Sequence, residues 1–137
     1  MGLILDSSEL ITAERFGRTV YELVKGTILL AGDQEVAISV ITVLELAHGV
    51  GRADSQQRRN RRQQFVDDVL AGMPVQPVTV AIALRAGRLD AEMKAEGKSI
   101  ALADLLIGAT ALELGYGVAT ANRRHFDQIP GLNVVQF

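Results

Sequence analysis

The stretch Ser99–Phe126, SIALADLLIGATALELGYGVATANRRHF, decides how the rest of the chain is read. From Ile100 to Leu114 it is apolar on nearly every side of a helix, the pattern of a helix buried in a core rather than laid on a surface. A single carboxylate, Asp104, stands inside that run. A carboxylate in apolar surroundings is costly unless a cation, a proton or several donors attend it. Gly115 follows where a helix C-terminal cap belongs. Gly117-Val-Ala-Thr120 is then short enough for a parallel core strand, with Asn122 just past its end. Sites in open parallel sheets lie beyond the carboxyl ends of the strands. One helix and one strand end are therefore expected to bring a buried acid and a polar side chain to the same edge.

Working outward, Leu3-Ile-Leu5 reads as a central strand ended by Asp6, and Ser7 or Ser8 is placed to cap a helix starting near Glu9. Phe16, Val20, Leu23 and Val24 recur at helical spacing, Gly32-Asp33 signals a turn, and Val36-Ala-Ile38 reads as a second strand. Thr42-Val-Leu-Glu45 has the form of a capping box, so a third helix is expected to begin there and to run to Gly49 or Gly51. Gly51–Arg62 holds five arginines and one acid, and the same helical segment turns apolar at Phe65, Val66, Val69 and Leu70. Its first half is expected to project past the core and its second half to dock. Val75–Val78 is a short strand or extended linker, and Ile82, Ala86, Leu89 and Met93 form the apolar stripe of a helix ended by Gly97. Asn133–Phe137 reads as a last short strand. Strands alternate with helices throughout, which predicts an α/β fold with a largely parallel sheet of four to five short strands.

The 137 residues suit one domain, 1–137, large enough for a real core. A net charge of −2 announces no global basic field, although a local patch can still meet a polyanion. The absence of cysteine excludes a disulfide framework and a thiolate metal site. No apolar run reaches membrane-spanning length and the N-terminus has no signal-peptide pattern, so a cytoplasmic protein without a membrane role is expected.

Three acids stand at junctions that a parallel sheet brings together: Asp6 ending strand one, Glu45 in the helix after strand two, and Asp104 early in the buried helix. Singly each has a structural reading: Asp6 as a strand end, Glu45 as part of a capping box, Asp104 as a charge near a helix N-terminus. Asn122 alone reads as a turn residue. Together the carboxylates repel one another, and such a cluster is stable when protonated or filled by metal. Oxygen ligands alone select hard cations such as Mg²⁺ or Mn²⁺, which polarise phosphates and generate hydroxide for in-line attack.

The segments Leu3-Ile-Leu-Asp6-Ser-Ser, Ile41-Thr-Val-Leu-Glu45-Leu-Ala-His-Gly49, Ala103-Asp104-Leu-Leu-Ile-Gly-Ala-Thr-Ala111 and Ala119-Thr-Ala-Asn122-Arg-Arg-His-Phe126, with Ile129-Pro-Gly-Leu-Asn-Val134 behind them, resemble in order and spacing the motifs of PIN-domain nucleases. The resemblance spans essentially the whole chain and is strongest to the VapC toxins of bacterial toxin–antitoxin pairs. It implies a three-layer α/β/α fold and a Mg²⁺- or Mn²⁺-dependent endoribonuclease acting on RNA. It also implies a homodimer held inactive by a cognate VapB-like antitoxin. It assigns Asp6, Glu45 and Asp104 as the catalytic, metal-binding acids. Asn122 falls where many relatives carry a fourth acid and others carry Asn; with Asn the site is one negative charge poorer. A catalytically weak PIN domain acting as a binding module is the alternative that Asn122 leaves open. A phosphoacceptor signalling module would want an acid beside Asp6 and a late lysine, and no Lys follows Lys98.

Around these residues, Ser8 and Thr120 are candidates to support the site through their hydroxyls, and Arg123 and Arg124 to contact RNA phosphates. Glu9 is expected to face solvent, and His48 and His125 to serve packing or the groove rim. Arg58–Arg62 reads as an RNA grip, an antitoxin contact or a solvated face. Its distance in sequence from the acids sets the first of these low.

Overall fold

The computed structural model describes residues 1–137. Five strands, β1 (Gly2–Leu5), β2 (Glu35–Ser39), β3 (Val75–Gln76), β4 (Gly117–Thr120) and β5 (Val134–Gln136), form one sheet in the order β3-β2-β1-β4-β5. Every strand pair is parallel, with Leu3 opposite both Val36 and Gly117 across the sheet's centre. The chain builds outward from β1 to β2 and β3, then crosses to the other side of β1 for β4 and β5. The crevice between the carboxyl ends of β1 and β4 is thus the topological switch point, where ligands of open α/β sheets bind.

Side chains along a strand alternate between faces, and the core is divided accordingly. Leu3, Leu5, Val36, Ile38 and Ala119 point into one layer, while Ile4, Ala37 and Val118 point into the other. The first layer holds α1 (Ser7–Arg15), α2 (Val20–Ala31), α3 (Val40–Gly51) and α4 (Gln56–Gly72). The second holds α5 (Val80–Ala95), α6 (Leu102–Leu114) and the single turn α7 (Arg123–Phe126). The expected three-layer α/β/α arrangement is therefore present, with the sheet entirely parallel. Ile4, Ile107 and Val118 are fully buried in the second layer, each contributing about 1.5–3 kcal/mol of transfer free energy.

Two local expectations are corrected. Phe16 was expected to share one helical spacing with Val20, Leu23 and Val24; instead α1 stops at Arg15, Gly17 adopts φ +70°, and α2 starts afresh at Val20. Its N-cap is Thr19, whose hydroxyl accepts from the Glu22 N–H while the Glu22 carboxylate accepts from the Thr19 N–H. Phe16, spared from packing by this break, is 74% exposed. The third helix begins not at Thr42 but directly after β2, with Ser39 as N-cap and its hydroxyl accepting from the Ile41 N–H. Thr42 and Glu45 thus lie inside α3 and form no capping box.

The organising helix is as expected. α6 begins at Leu102, places Asp104 in its first turn, buries Leu105, Ile107 and Ala109, and ends at Gly115 in the left-handed region at φ +70°, ψ 27°. A residue with a Cβ is disfavoured there, and glycine lets the chain reverse directly into β4.

Candidate active site

Asp6 follows β1 and is 5% exposed. It occupies the N-cap position of α1, yet its side chain makes no capping bond. The carboxylate turns instead to two hydroxyls: Ser8 Oγ and Thr120 Oγ1 both donate to Oδ2, at 2.7 and 2.8 Å. Thr120 in turn accepts from the Asn122 N–H at 2.9 Å, tying the end of β4 to the end of β1. Ser8 and Thr120 therefore both touch the acid they were expected to support.

Glu45 projects from the second turn of α3 and accepts a hydrogen bond from Ser7 Oγ. Ser7 also lies 3.0 Å from Thr42 Oγ1. A hydroxyl has one proton; Ser7 gives its own to Glu45, so Thr42 is the donor to Ser7. Ser7 and Thr42 are both buried, and neither was singled out from the sequence. The signal was present: Thr42 and Glu45 are three residues apart, on one face of a helix. The capping-box reading claimed that spacing first.

Asp104, half-buried at the start of α6, has Oδ2 at 3.2 Å from His125 Nδ1. Burial pushes its pKa above the usual carboxylate range, the negative charge of Asp6 pushes the same way, His125 pulls it back, and Glu45 raises it further. Asp6 and Glu45 are thus both near enough to be felt electrostatically. His125 enters the site as a direct partner of an acid, where the sequence suggested only packing or a rim. It is 21 residues from Asp104 in sequence, a separation that no local pattern bridges.

Glu9 also departs from expectation. Its Oε1 accepts the Ala121 N–H at 2.7 Å, and burial raises its pKa, with the Ala121 bond opposing and Asp6 adding to the rise. It clasps the backbone immediately before Asn122 rather than facing solvent.

The β4–α7 turn is less committed. Asn122 is exposed and its side chain makes no hydrogen bond; its main chain begins α7. Arg123 is engaged within the fold, bonding Asp127 Oδ2 at 3.1 Å and the Val134 carbonyl at 3.2 Å. Arg124 is exposed and unpaired. Asn122, Arg124 and His125 line a polar hollow of about 340 Å³.

Each of the three acids therefore has one oxygen held by a protein donor and one without a protein partner. No buried side-chain polar atom lacks a partner, so the free oxygens open to solvent. This donor set, carboxylates with hydroxyl neighbours and no sulfur, fits a hard divalent cation. The rotamers stop short of a preformed cage: no three His, Asp or Glu side chains are drawn close enough together to hold an ion. Glu45 is turned onto Ser7, and Asp104 onto His125.

The PIN domain family model matches residues 3–132. Ribonuclease VapC1 of Rickettsia felis is 30% identical over 135 residues, covering 98% of this chain and 96% of that protein. The crystal structure of VapBC2 from Rickettsia felis, bound to a DNA fragment from the promoter, superposes with a TM-score of 0.86 at 24% identity, over 100% of this chain and 99% of that one. VapBC-5 from Mycobacterium tuberculosis, a member of the VapBC family of toxin–antitoxin systems, gives 0.78 at 25% identity, over 99% and 98%. These matches show that the chain belongs to the PIN-domain family, among the VapC ribonucleases.

Proposed function

We propose that the chain is a metal-dependent endoribonuclease, the toxin half of a toxin–antitoxin pair, working as a single domain over residues 1–137. Its metal-binding and catalytic edge is Asp6, Glu45, Asp104 and Asn122. One observation carries the reading: three acids, one following β1 and the others on α3 and α6, each with a free oxygen, stand near enough that Asp6 and Glu45 both raise the pKa of Asp104.

PIN-domain VapC nucleases depend on a divalent metal; for this all-oxygen set the ion is Mg²⁺ or Mn²⁺. When bound it supplies Lewis acidity toward a phosphodiester oxygen and a more acidic water. The chain's own residues set the stage for that. Ser8 and Thr120 fix the plane of the Asp6 carboxylate. Ser7, itself held by Thr42, orients Glu45. His125 restrains Asp104, and Glu9 holds the backbone from which Asn122 projects. Groups that orient metal ligands through hydrogen bonds in this way typically carry about 10–100-fold in metal affinity or activity.

The VapBC neighbours are toxin–antitoxin complexes, and a VapB-like antitoxin is the partner inferred here. The exposed apolar side chains Val80, Leu84 and Leu102 on α5 and α6 are consistent with a homodimer. No helix is long and apolar enough to cross a membrane, and an RNA substrate puts the work in the cytoplasm.

Incubation of the purified protein with single-stranded or looped RNA, in Mg²⁺, in Mn²⁺ and in EDTA, tests the reading. Internal cleavage is expected with either ion and none in EDTA. Full cleavage in EDTA removes the metal from the mechanism. No cleavage under any condition leaves the fold serving as a binding module.

A further inference from the structure

The arginine-rich start of α4 is the strongest sequence feature that the site does not use. A merely solvated charge run would lie on the face of the helix turned away from the core. At about 100° per residue, Arg58, Arg59, Arg61 and Arg62 fall within one arc of about 160°. Phe65, Val66 and Val69, the side chains that α4 buries, fall within that same arc. Asn60, Gln63 and Asp67 occupy the back. The arginines are therefore the continuation of the docking face, at the end where the helix has run past the core.

The helix they extend borders the groove that Glu45 lines, through Arg62, Phe65 and Val66. Arg62 donates to the Gly49 carbonyl of α3 at 2.6 Å. It lines a groove of about 130 Å³ between α1, α3 and α4 whose wall includes Arg15 and Glu45 itself. Arg61 reaches Glu14 of α1 at 3.7 Å, and Arg58 reaches Asp54 at 3.5 Å. Both pairs are long, and the two arginines keep 67% and 56% of their side-chain surface exposed. Exposed pairs of this kind hold weakly and exchange readily for another anion. Arg59 has no ion pair. The chemistry also demands such an element. RNA approaching Asp6, Glu9, Glu45 and Asp104 on a chain of net charge −2 is repelled unless basic side chains stand beside the acids. At the β4 edge, Arg123 is already paired with Asp127, which leaves Arg124 as a single unpaired cation against four acids.

We propose that Arg58, Arg59 and Arg61, at the projecting end of α4, grip the phosphates of single-stranded RNA and lead it along the α1–α3–α4 groove to Glu45. This rests on the ribonuclease reading above and names the surface that reading left unassigned. Arg62 is the anchor that fixes the arm to α3.

The test compares R58Q/R59Q/R61Q with a control of equal charge change on the opposite layer, R88Q/K94Q/K98Q. Cleavage of a labelled mixed-sequence single-stranded RNA is followed in Mg²⁺, and binding of the same RNA is followed in EDTA across a salt series. The α4 variant is expected to raise KM on the order of tenfold with kcat within about twofold. The slope of log K against log salt should fall by about 2, since each phosphate contact on a single strand contributes about 0.7. Its melting temperature should match wild type, and the control should keep wild-type KM and slope. Unchanged KM and slope in the α4 variant overturn the proposal, as does equal weakening by the two variants. Undiminished RNA binding with lost hold on an acidic protein partner also overturns it, and assigns the arm to protein. In each of these cases wild type still cleaves RNA. If wild type neither cleaves nor binds it, the ribonuclease reading itself has failed and the grip falls with it.

Discussion

The chain carries one short pattern twice. Thr19-Val-Tyr-Glu22 and Thr42-Val-Leu-Glu45 both read as a hydroxyl followed three residues later by a glutamate. The first is a capping box at the exposed start of α2, with both reciprocal bonds formed. The second lies inside α3, because Ser39 at the end of β2, three residues before Thr42, has already capped that helix. There the same spacing puts Thr42 and Glu45 on one face, both meeting Ser7 of α1. A three-residue spacing in a helix thus has two meanings, and what precedes it chooses between them. After an extended break it closes a helix end. After a strand that runs straight into a helix it builds a wall of a site.

Removing the charge of Glu45 tests this distinction most directly. Glu45→Gln keeps the oxygen that accepts from Ser7 and removes the negative charge. Its RNA cleavage is expected to fall on the order of 10²- to 10³-fold, the scale of losing one group that stabilises charge at a reacting centre. Its melting temperature should stay near that of wild type. Wild-type cleavage by this variant would return Glu45 to a structural role and make the two patterns equivalent after all.

A smaller effect is expected one step out from the acids. Thr120→Val keeps the shape of a fully buried side chain but removes the hydroxyl that donates to Asp6 and accepts from the Asn122 N–H. Orienting partners of metal ligands typically carry 10–100-fold in affinity or activity. A loss of about that size, with the Mg²⁺ concentration for half-maximal activity moved upward, is the expected outcome. A loss in kcat alone, at unchanged Mg²⁺ dependence, would separate Thr120 from the metal site.

Much of this was legible in the sequence, for a definite reason. Asp6 and Asp104 stand out because each is a lone acid against an apolar run, and burial is what hydrophobic patterning reports. A sheet of four to five short, largely parallel strands follows from the alternation of short apolar runs with helices. Partners across the sheet were not legible. Between Ser7 and Ser8 the sequence offers no distinction, yet one turns inward to Glu45 and the other to Asp6. The bonds of His125 to Asp104 and of Ala121 to Glu9 close over 21 and 112 residues. Such contacts are set by how the layers dock, which no local spacing encodes.

The other half of the comparison calls for a stability measurement. Thr19→Ala removes the hydroxyl from a working capping box, which typically costs about 1 kcal/mol. RNA cleavage by the folded variant should be unchanged. The pH dependence has a definite sign. The Thr19 N–H first, and the Thr19 side chain after it, hold the Glu22 carboxyl below its usual range. A depressed acid contributes stability that is present above its unfolded pKa and is lost as pH falls through the folded one. Thr19→Ala keeps the N–H that donates to Glu22, so both proteins should lose this contribution on acidification. The gap between them, set mainly by the lost bond from the Glu22 N–H to the Thr19 hydroxyl, should persist in urea melts at acid pH. A gap that closes completely in acid would mean that the Thr19 hydroxyl acts through the Glu22 carboxylate instead.

The smallest expected effect concerns Asp104, and its sign matters more than its size. Burial and the charges of Asp6 and Glu45 raise its pKa against the pull of His125. For an acid, a folded pKa above the unfolded value means that the ionised group opposes folding at neutral pH. That opposition fades as pH falls and the folded state takes up the proton first. Asp104→Asn removes the charge at nearly constant shape and keeps an oxygen to accept from His125. In EDTA at neutral pH the variant should melt at or slightly above the wild-type temperature, and acidification should close any gap by stabilising wild type alone. Mg²⁺ should reverse the order. An ion bound only by the native state stabilises in proportion to the logarithm of its concentration over Kd, so wild type should gain and the variant gain little. A helix-terminus charge with no part in metal binding predicts the opposite pattern: loss of stability on substitution, equal with and without Mg²⁺. Four melts, two proteins each in EDTA and in Mg²⁺, separate the two. An equal Mg²⁺ shift in both proteins would remove Asp104 from the ligand set and leave Asp6 and Glu45 without their third acid.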